Sequence, residues 1–322
     1  MSCATKLPEI VADVVTEKTL NDTDDPAIWV NPKDASKSIV FGTDKNTNGA
    51  IYAFDLDGKV LESKTIRNIK RPNNIDLEYG FKLNDSTKVD IIAFTERERK
   101  QIRLFSVPDM QPLDHGGFPV FKDATKPEEN APMGIALYKS PKNKAIYAIV
   151  GRKTGPLKGY LHQYLLTSDS LGVQAKFIRA FGDYSGKKEI EAIAVDNETG
   201  IVYYSDEGHC IRKYYAEPSK GDKEIYCFGK DYFTEDIEGI AIAKYTNNTF
   251  LIVSNQQAHT FNVFNAKTNA FIKEINLGTI ETDGCDVTTA ALGNKFPNGL
   301  FVSMNDDKNF FFHDLKKLEL EK

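Results

Sequence analysis

The stretch EDIEGIAIA, residues 235–243, sets Glu235, Asp236 and Glu238 directly before an apolar run with the look of a buried strand. Like charges this close repel, and a carboxylate beside a core loses hydration it does not easily regain. The same layout recurs along the chain. DDPAIWVNP (24–32), NNIDLEYGF (73–81), PMGIALYKS (132–140), EIEAIAVDN (189–197), DIEGIAIAK (236–244) and GCDVTTAAL (284–292) share a polar or acidic opening, a short apolar strand and a turn. A second strand follows in each unit (SIVFGTD, KVDIIAFTER, AIYAIVGRK, GIVYYSDE, TFLIVSNQ, GLFVSMND), and then a third (AIYAFDLDG, QIRLFSV, YLHQYLLT, CIRKYYAE, TFNVFNA, NFFFHDL). Most units end on a weaker fourth, such as KFIRAF or FIKEINL. The openings fall at 24, 73, 132, 189, 236 and 284, a period of about 50 residues.

Short antiparallel strands at that period are the signature of a β-propeller, and six units predict six blades of an all-β fold around a central channel. β-branched and aromatic residues dominate the strands, with Asn, Asp, Gly and Pro between them. Only the terminal DLKKLELEK has helical character. Residues 1–322 are therefore expected as one propeller, with 1–20 an N-terminal extension or a blade-closing segment.

Composition narrows the function. The 322 residues are 41% hydrophobic and 27% charged, with a net charge of −5, which disfavours nucleic acid as a partner because phosphate backbones call for a basic surface. No apolar run approaches the roughly 20 residues of a membrane helix, and MSCATKLPEI lacks the apolar core of a signal peptide. Ser2-Cys3 fits the stub of a lipoprotein signal cut before its acceptor cysteine; the alternative is an ordinary free cysteine. The expected location is secreted or at the cell envelope. Cys210 and Cys227 fall on successive predicted strands, where a cross-strand disulfide is open but two buried thiols are the expectation.

In a propeller the first strand of each blade is innermost, so the acidic openings converge on one mouth of the channel. Asp24 and Asp25, Glu191, Asp236 and Glu238, and Asp283 with Asp286 form most of that ring, and blade two adds Asn74 and Asp76. Hard oxygen donors from several blades suit calcium, while five histidines without paired spacing disfavour zinc. A single aspartate at a strand start is commonly a turn cap; the recurrence at one point of the repeat is what argues for metal. The ends of the second strands carry Lys45, Arg97, Arg152 and Lys153 in blades one to three, and Glu207 and Gln256 in blades four and five. A metal cluster facing lysine and arginine is a site for a multiply charged anion such as phosphate.

These residues resemble the β-propeller phytases, the calcium-dependent alkaline phytase family. DDPAIWVNP, TDKNTNG, NNIDLEYGF, IEAIAVD, YYSDEG, DIEGIAI, SNQQ, TDGCDV and GLFVSMNDD carry the likeness across nearly the whole chain. The resemblance implies several calcium ions held by Asp25, Glu191, Glu207, Asp236, Glu238 and Asp283, with Asp24 beside them. It implies substrate phosphates bound by Lys45, Arg97 and Arg152, with Lys153 adjoining, and places Gln256 near the catalytic calcium group. It also implies a structural calcium at Asp306 and Asn309. Glu191, Asp236, Glu238, Lys45 and Arg97 are the expected catalytic set.

The implied reaction is phosphomonoester hydrolysis of phytate or related inositol phosphates, of the 3-phytase type, by a monomer. Calcium would act as a Lewis acid and lower the pKa of an attacking water, with no covalent enzyme intermediate. Three features depart from the family: Met133 replaces a tyrosine, Asn46 a second lysine, and the acidic stretch before TDGCDV is short. They keep open a weak or inactive phosphate-binding propeller. Another calcium-dependent propeller hydrolase, such as a lactonase, is disfavoured by the paired cations. The other phosphatase signatures fail: DHGGFP (114–119) is not RHGxRxP, and HCIRKYYAEP puts Ala216 where a cysteine phosphatase loop needs arginine.

Overall fold

The computed structural model describes residues 7–321. Its strands form six four-stranded antiparallel sheets, arranged as the blades of a propeller. Blade one runs Thr23–Trp29, Ile39–Asp44, Gly49–Phe54 and Ile66–Ile69. Blade three has the longest outer pair, Lys158–Asp169 with Gly172–Asp183, and blades four and six the shortest inner strands, Ile193–Asp196 and Cys285–Thr288. The period read from the sequence is thus the blade, and the first strand of each blade lines the central cavity, which has a volume of about 220 Å³. Among the described residues there is no α-helix; the terminal Leu315–Leu318 is a 3-10 turn. No helix is long and apolar enough to cross a membrane. Cys3 lies outside the described residues.

Blade six closes with borrowed chain. Its own strands are Cys285–Thr288, Leu300–Asn305 and Asn309–Asp314, and the fourth is Val14–Val15, paired as Val14 with Phe312 and Val15 with Phe311. The core is divided among the blade interfaces. Phe41 and Ile51 of blade one pack with Ile92 and Phe94 of blade two, and Phe264 and Val253 of blade five with Tyr203 and Ile211 of blade four. Each sheet buries both faces against its neighbours, which is why the second strands read as almost unbroken apolar runs.

One local device aims the polar openings. The inner strands of blades one, two, three and five each carry a bulge near the mouth, at Asp24–Asp25, Asn73–Asn74, Met133–Gly134 and Glu238–Gly239. Two residues there oppose one on the second strand, which bends the chain and redirects its side chains. Gly134 permits the bend in blade three, because a Cβ there would overlap the carbonyl oxygen of Glu191 in the next blade.

Blade four corrects one expectation. Cys210 and Cys227, expected as two thiols, are joined in a disulfide with their Cα atoms 5.8 Å apart. The sequence gives the spacing of the two strands but not their register; Cys227 pairs with Arg212 and so falls diagonally beside Cys210.

Candidate metal centre at the channel mouth

Three carboxylates meet at the mouth. Glu191 precedes the inner strand of blade four, Glu207 sits in the turn after its second strand, and Glu238 occupies the bulge of blade five. One oxygen from each lies within 4.8 Å of the others. Oε1 of Glu207 and Oε2 of Glu238 are buried with no hydrogen-bond donor. Burial, then repulsion from Asp24, raises Glu191 to about 7. Burial and the charges of Glu191 and Glu189 raise Glu207 to about 9, and burial with Glu207 and Glu191 holds Glu238 well above the usual range. Three buried carboxylates at this distance do not all ionise without a cation. Carboxylate oxygens converging from three points of the chain, with an unpartnered oxygen on two of the three side chains, fit a hard metal ion.

The rest of the ring is drawn in by nitrogen donors. Lys45 donates to Oδ1 of Asp24 at 2.8 Å and to Oδ2 of Asp283 at 2.9 Å, closing blade one against blade six. Burial opposes its charge, but Asp24, Asp283 and Glu191 outweigh that and hold the ammonium above its ordinary pKa. Asn73 donates to Asp24 at 3.3 Å and to Oε1 of Glu191 at 2.7 Å. Gln256 donates to Oδ1 of Asp283 at 2.5 Å. Asp236 accepts from Gln257 at 2.8 Å and from the exposed Lys188.

Other expected residues lie elsewhere. Asp25 turns down from the bulge into the channel, where its Oδ2 accepts the Ile75 N–H at 3.0 Å. Arg97 is half-buried at the end of the second strand of blade two, and no carboxylate among the described residues pairs with it. Arg152, expected as a phosphate contact, is turned into blade three: Nε donates to the carbonyl of Tyr160 at 3.0 Å, Nη2 to Nε2 of His162 at 3.0 Å, and the guanidinium stacks 4.3 Å from the Phe121 ring. Its neighbour Lys153 lies just past the end of that strand and pairs with Glu189 beside the mouth. Asp306 is exposed, and Asn309 accepts from Asn305 at 3.0 Å; both lie on the last hairpin of blade six. Asn46 caps its own turn by accepting the Asn48 N–H at 3.1 Å, and Met133 is buried.

Sequence reasoning missed Asn73, Lys188, Glu189 and Gln257. Asn73 and Gln257 stand next to the candidates Asn74 and Gln256, as the first Asn of NNI and the second Gln of SNQQ. Their doubled amides were the available signal.

A six-bladed propeller whose acidic mouth could hold a metal and whose rim carries cations fits the class of metal-assisted phosphatases. The comparisons are more particular. The family model described as Phytase matches residues 3–311. A curated 3-phytase of Bacillus subtilis (strain 168) is 32% identical over 301 residues, covering 88% of this chain and 74% of its own. The chain belongs to the phytase family, as a β-propeller phytase.

Proposed function

We propose that the chain is a calcium-dependent phosphomonoester hydrolase that releases phosphate from phytate or a related inositol phosphate. The observation that carries this reading is the set of buried carboxylate oxygens at the mouth that lack donors, set against Lys45, Arg97 and Lys153 at its rim. Glu191, Glu207 and Glu238 would hold the central ion, with Asp24, Asp236 and Asp283 completing the ring and Asp25 supporting it from below. A further, structural calcium is proposed at Asp306 and Asn309. Bound at the mouth, calcium would supply Lewis acidity toward the phosphoryl oxygens and a lowered pKa for the attacking water.

The chain's own residues supply orientation. Lys45 and Arg97 take the catalytic positions for phosphoryl oxygens, and Lys153 replaces Arg152 as the second cation beside them. Gln256, already held by Asp283, fixes the rim of blade five. Asn73 ties Asp24 to Glu191 and so sets the spacing of the ring. Release of phosphate from phytate, assayed with calcium and again with a chelator, tests the reading. No release at any calcium level, with phytate still bound, would favour the non-catalytic phosphate-binding propeller that Met133 and Asn46 point toward.

A further inference from the structure

The hairpin that carries Glu207 ends in a group of different chemistry. His209 closes the turn by donating its backbone N–H to the Asp206 carbonyl at 2.9 Å, and Cys210 opens the third strand of blade four. A ring nitrogen of His209 and the sulfurs of Cys210 and Cys227 lie within 4.8 Å of one another. Nδ1 of His209 is buried and has no hydrogen-bond partner. Buried polar atoms are nearly always partnered, so an unpartnered nitrogen on an imidazole that lies beside two sulfurs marks an unused donor position. Two sulfurs and one imidazole are soft and borderline donors, unlike the carboxylates of the mouth, and leave a fourth tetrahedral position for water.

We propose that reduction of the Cys210–Cys227 disulfide converts this corner into a Cys2His site for a zinc-class divalent ion, separate from the oxygen-lined mouth. A dithiol reductant supplies two electrons and two protons and becomes a disulfide itself; the Cys210–Cys227 bond breaks and two thiols form. Metal binding then releases both thiol protons to solvent and forms two sulfur–metal bonds and one nitrogen–metal bond. Sulfurs at about 2.3 Å from a tetrahedral ion lie roughly 3.8 Å apart, a separation that side-chain rotation reaches while the strands stay paired. The Cys227 side chain is half-buried, which leaves the bond open to a small dithiol.

Cobalt(II) tests the site, because only sulfur ligation gives it a near-ultraviolet charge-transfer band. The protein in a Cys3→Ser background is reduced with a dithiol, freed of reductant under nitrogen, checked for free thiols and titrated with cobalt. The reduced protein should show that band and tetrahedral visible bands, saturating at one ion per chain, and the oxidised protein neither. His209→Ala, which leaves the cysteines in place, should weaken the titration by about tenfold or more. Absence of the charge-transfer band in the reduced protein overturns the proposal, as does wild-type affinity in His209→Ala. Loss of the sheet circular-dichroism signal on reduction also overturns it, since no folded site would then exist. None of these readouts depends on phosphate release.

Discussion

Two groups of buried carboxylates sit one above the other along the same axis, and they are satisfied in different ways. In the channel, Asp25, Asp76 and Asp286 each accept a backbone N–H from the inner strand of the next blade: Ile75 at 3.0 Å, Leu137 at 2.6 Å and Ile28 at 2.7 Å. They lace blades six, one, two and three together. At the mouth, Glu207 and Glu238 each keep a buried oxygen with no donor. Both groups have raised pKa values from burial, with Asp76 pushed to about 8 and Asp286 to about 7. Perturbed titration therefore does not separate scaffold from site here. The partners do: peptide N–H groups below, unfilled oxygens above. Asn74, beside the channel trio, keeps one oxygen free and is the exception on the lower level.

The sharpest break in that comparison comes from Glu238→Gln. Removing one mouth charge should lower phosphate release roughly 100-fold, while raising the melting temperature in chelator, where the carboxylates only repel. A variant that is less stable than wild type in chelator would place Glu238 with the scaffold.

The pH profile divides the two levels in the unmodified protein. A carboxyl whose folded pKa is raised stabilises fully below its unfolded value near 4.5 and loses that contribution as pH rises through the folded value. In chelator, melting temperatures should fall as pH rises from about 4.5 through the values near 7 for Glu191 and near 9 for Glu207. Calcium should abolish the mouth's share of that slope and leave the share of Asp76 and Asp286. Identical slopes with and without calcium would show that the mouth does not take up the ion.

The adjacent pair in blade three gives a smaller and opposite contrast. Lys153→Met should raise KM for phytate several-fold with little change in stability. Arg152→Met should cost about 1–3 kcal/mol of stability by orphaning buried carbonyls, read by urea denaturation at unchanged KM. An exchange of these two outcomes would return Arg152 to the substrate. The smallest effect on activity belongs to Asp76→Asn, which keeps an acceptor for Leu137 but turns its NH2 toward the Leu77 N–H; it should cost stability while leaving calcium affinity unchanged and activity within about twofold.

The repeat made the blades and the convergence of acidic openings legible, because a strand's period and its turns are local properties of sequence. What escaped was decided by side-chain direction. Asp24 and Asp25 read as one acidic pair, but the bulge sends one to the mouth and the other into the channel. Arg152 and Lys153 read as one basic pair, and the end of the strand falls between them, one side chain going into the blade and the other to the rim. Lys188 and Glu189, in the loop before blade four, have no periodic signal and are placed only by the packing of blade four against blades five and three. The disulfide needed the register of two strands separated by a loop, which pattern alone does not carry.

The closure of blade six has a temporal consequence. Val14–Val15 leaves the ribosome before any blade's inner strand, yet its hydrogen-bonding partner, Asn309–Asp314, follows the other five blades. Five blades can be assembled while the ring is still an open arc, and the seam is sewn only after the last strand of blade six has emerged. Because Asp24 and Lys45 at one side of that seam meet Asp283 at the other, the mouth gains its full complement of charge in the same event that shuts the ring.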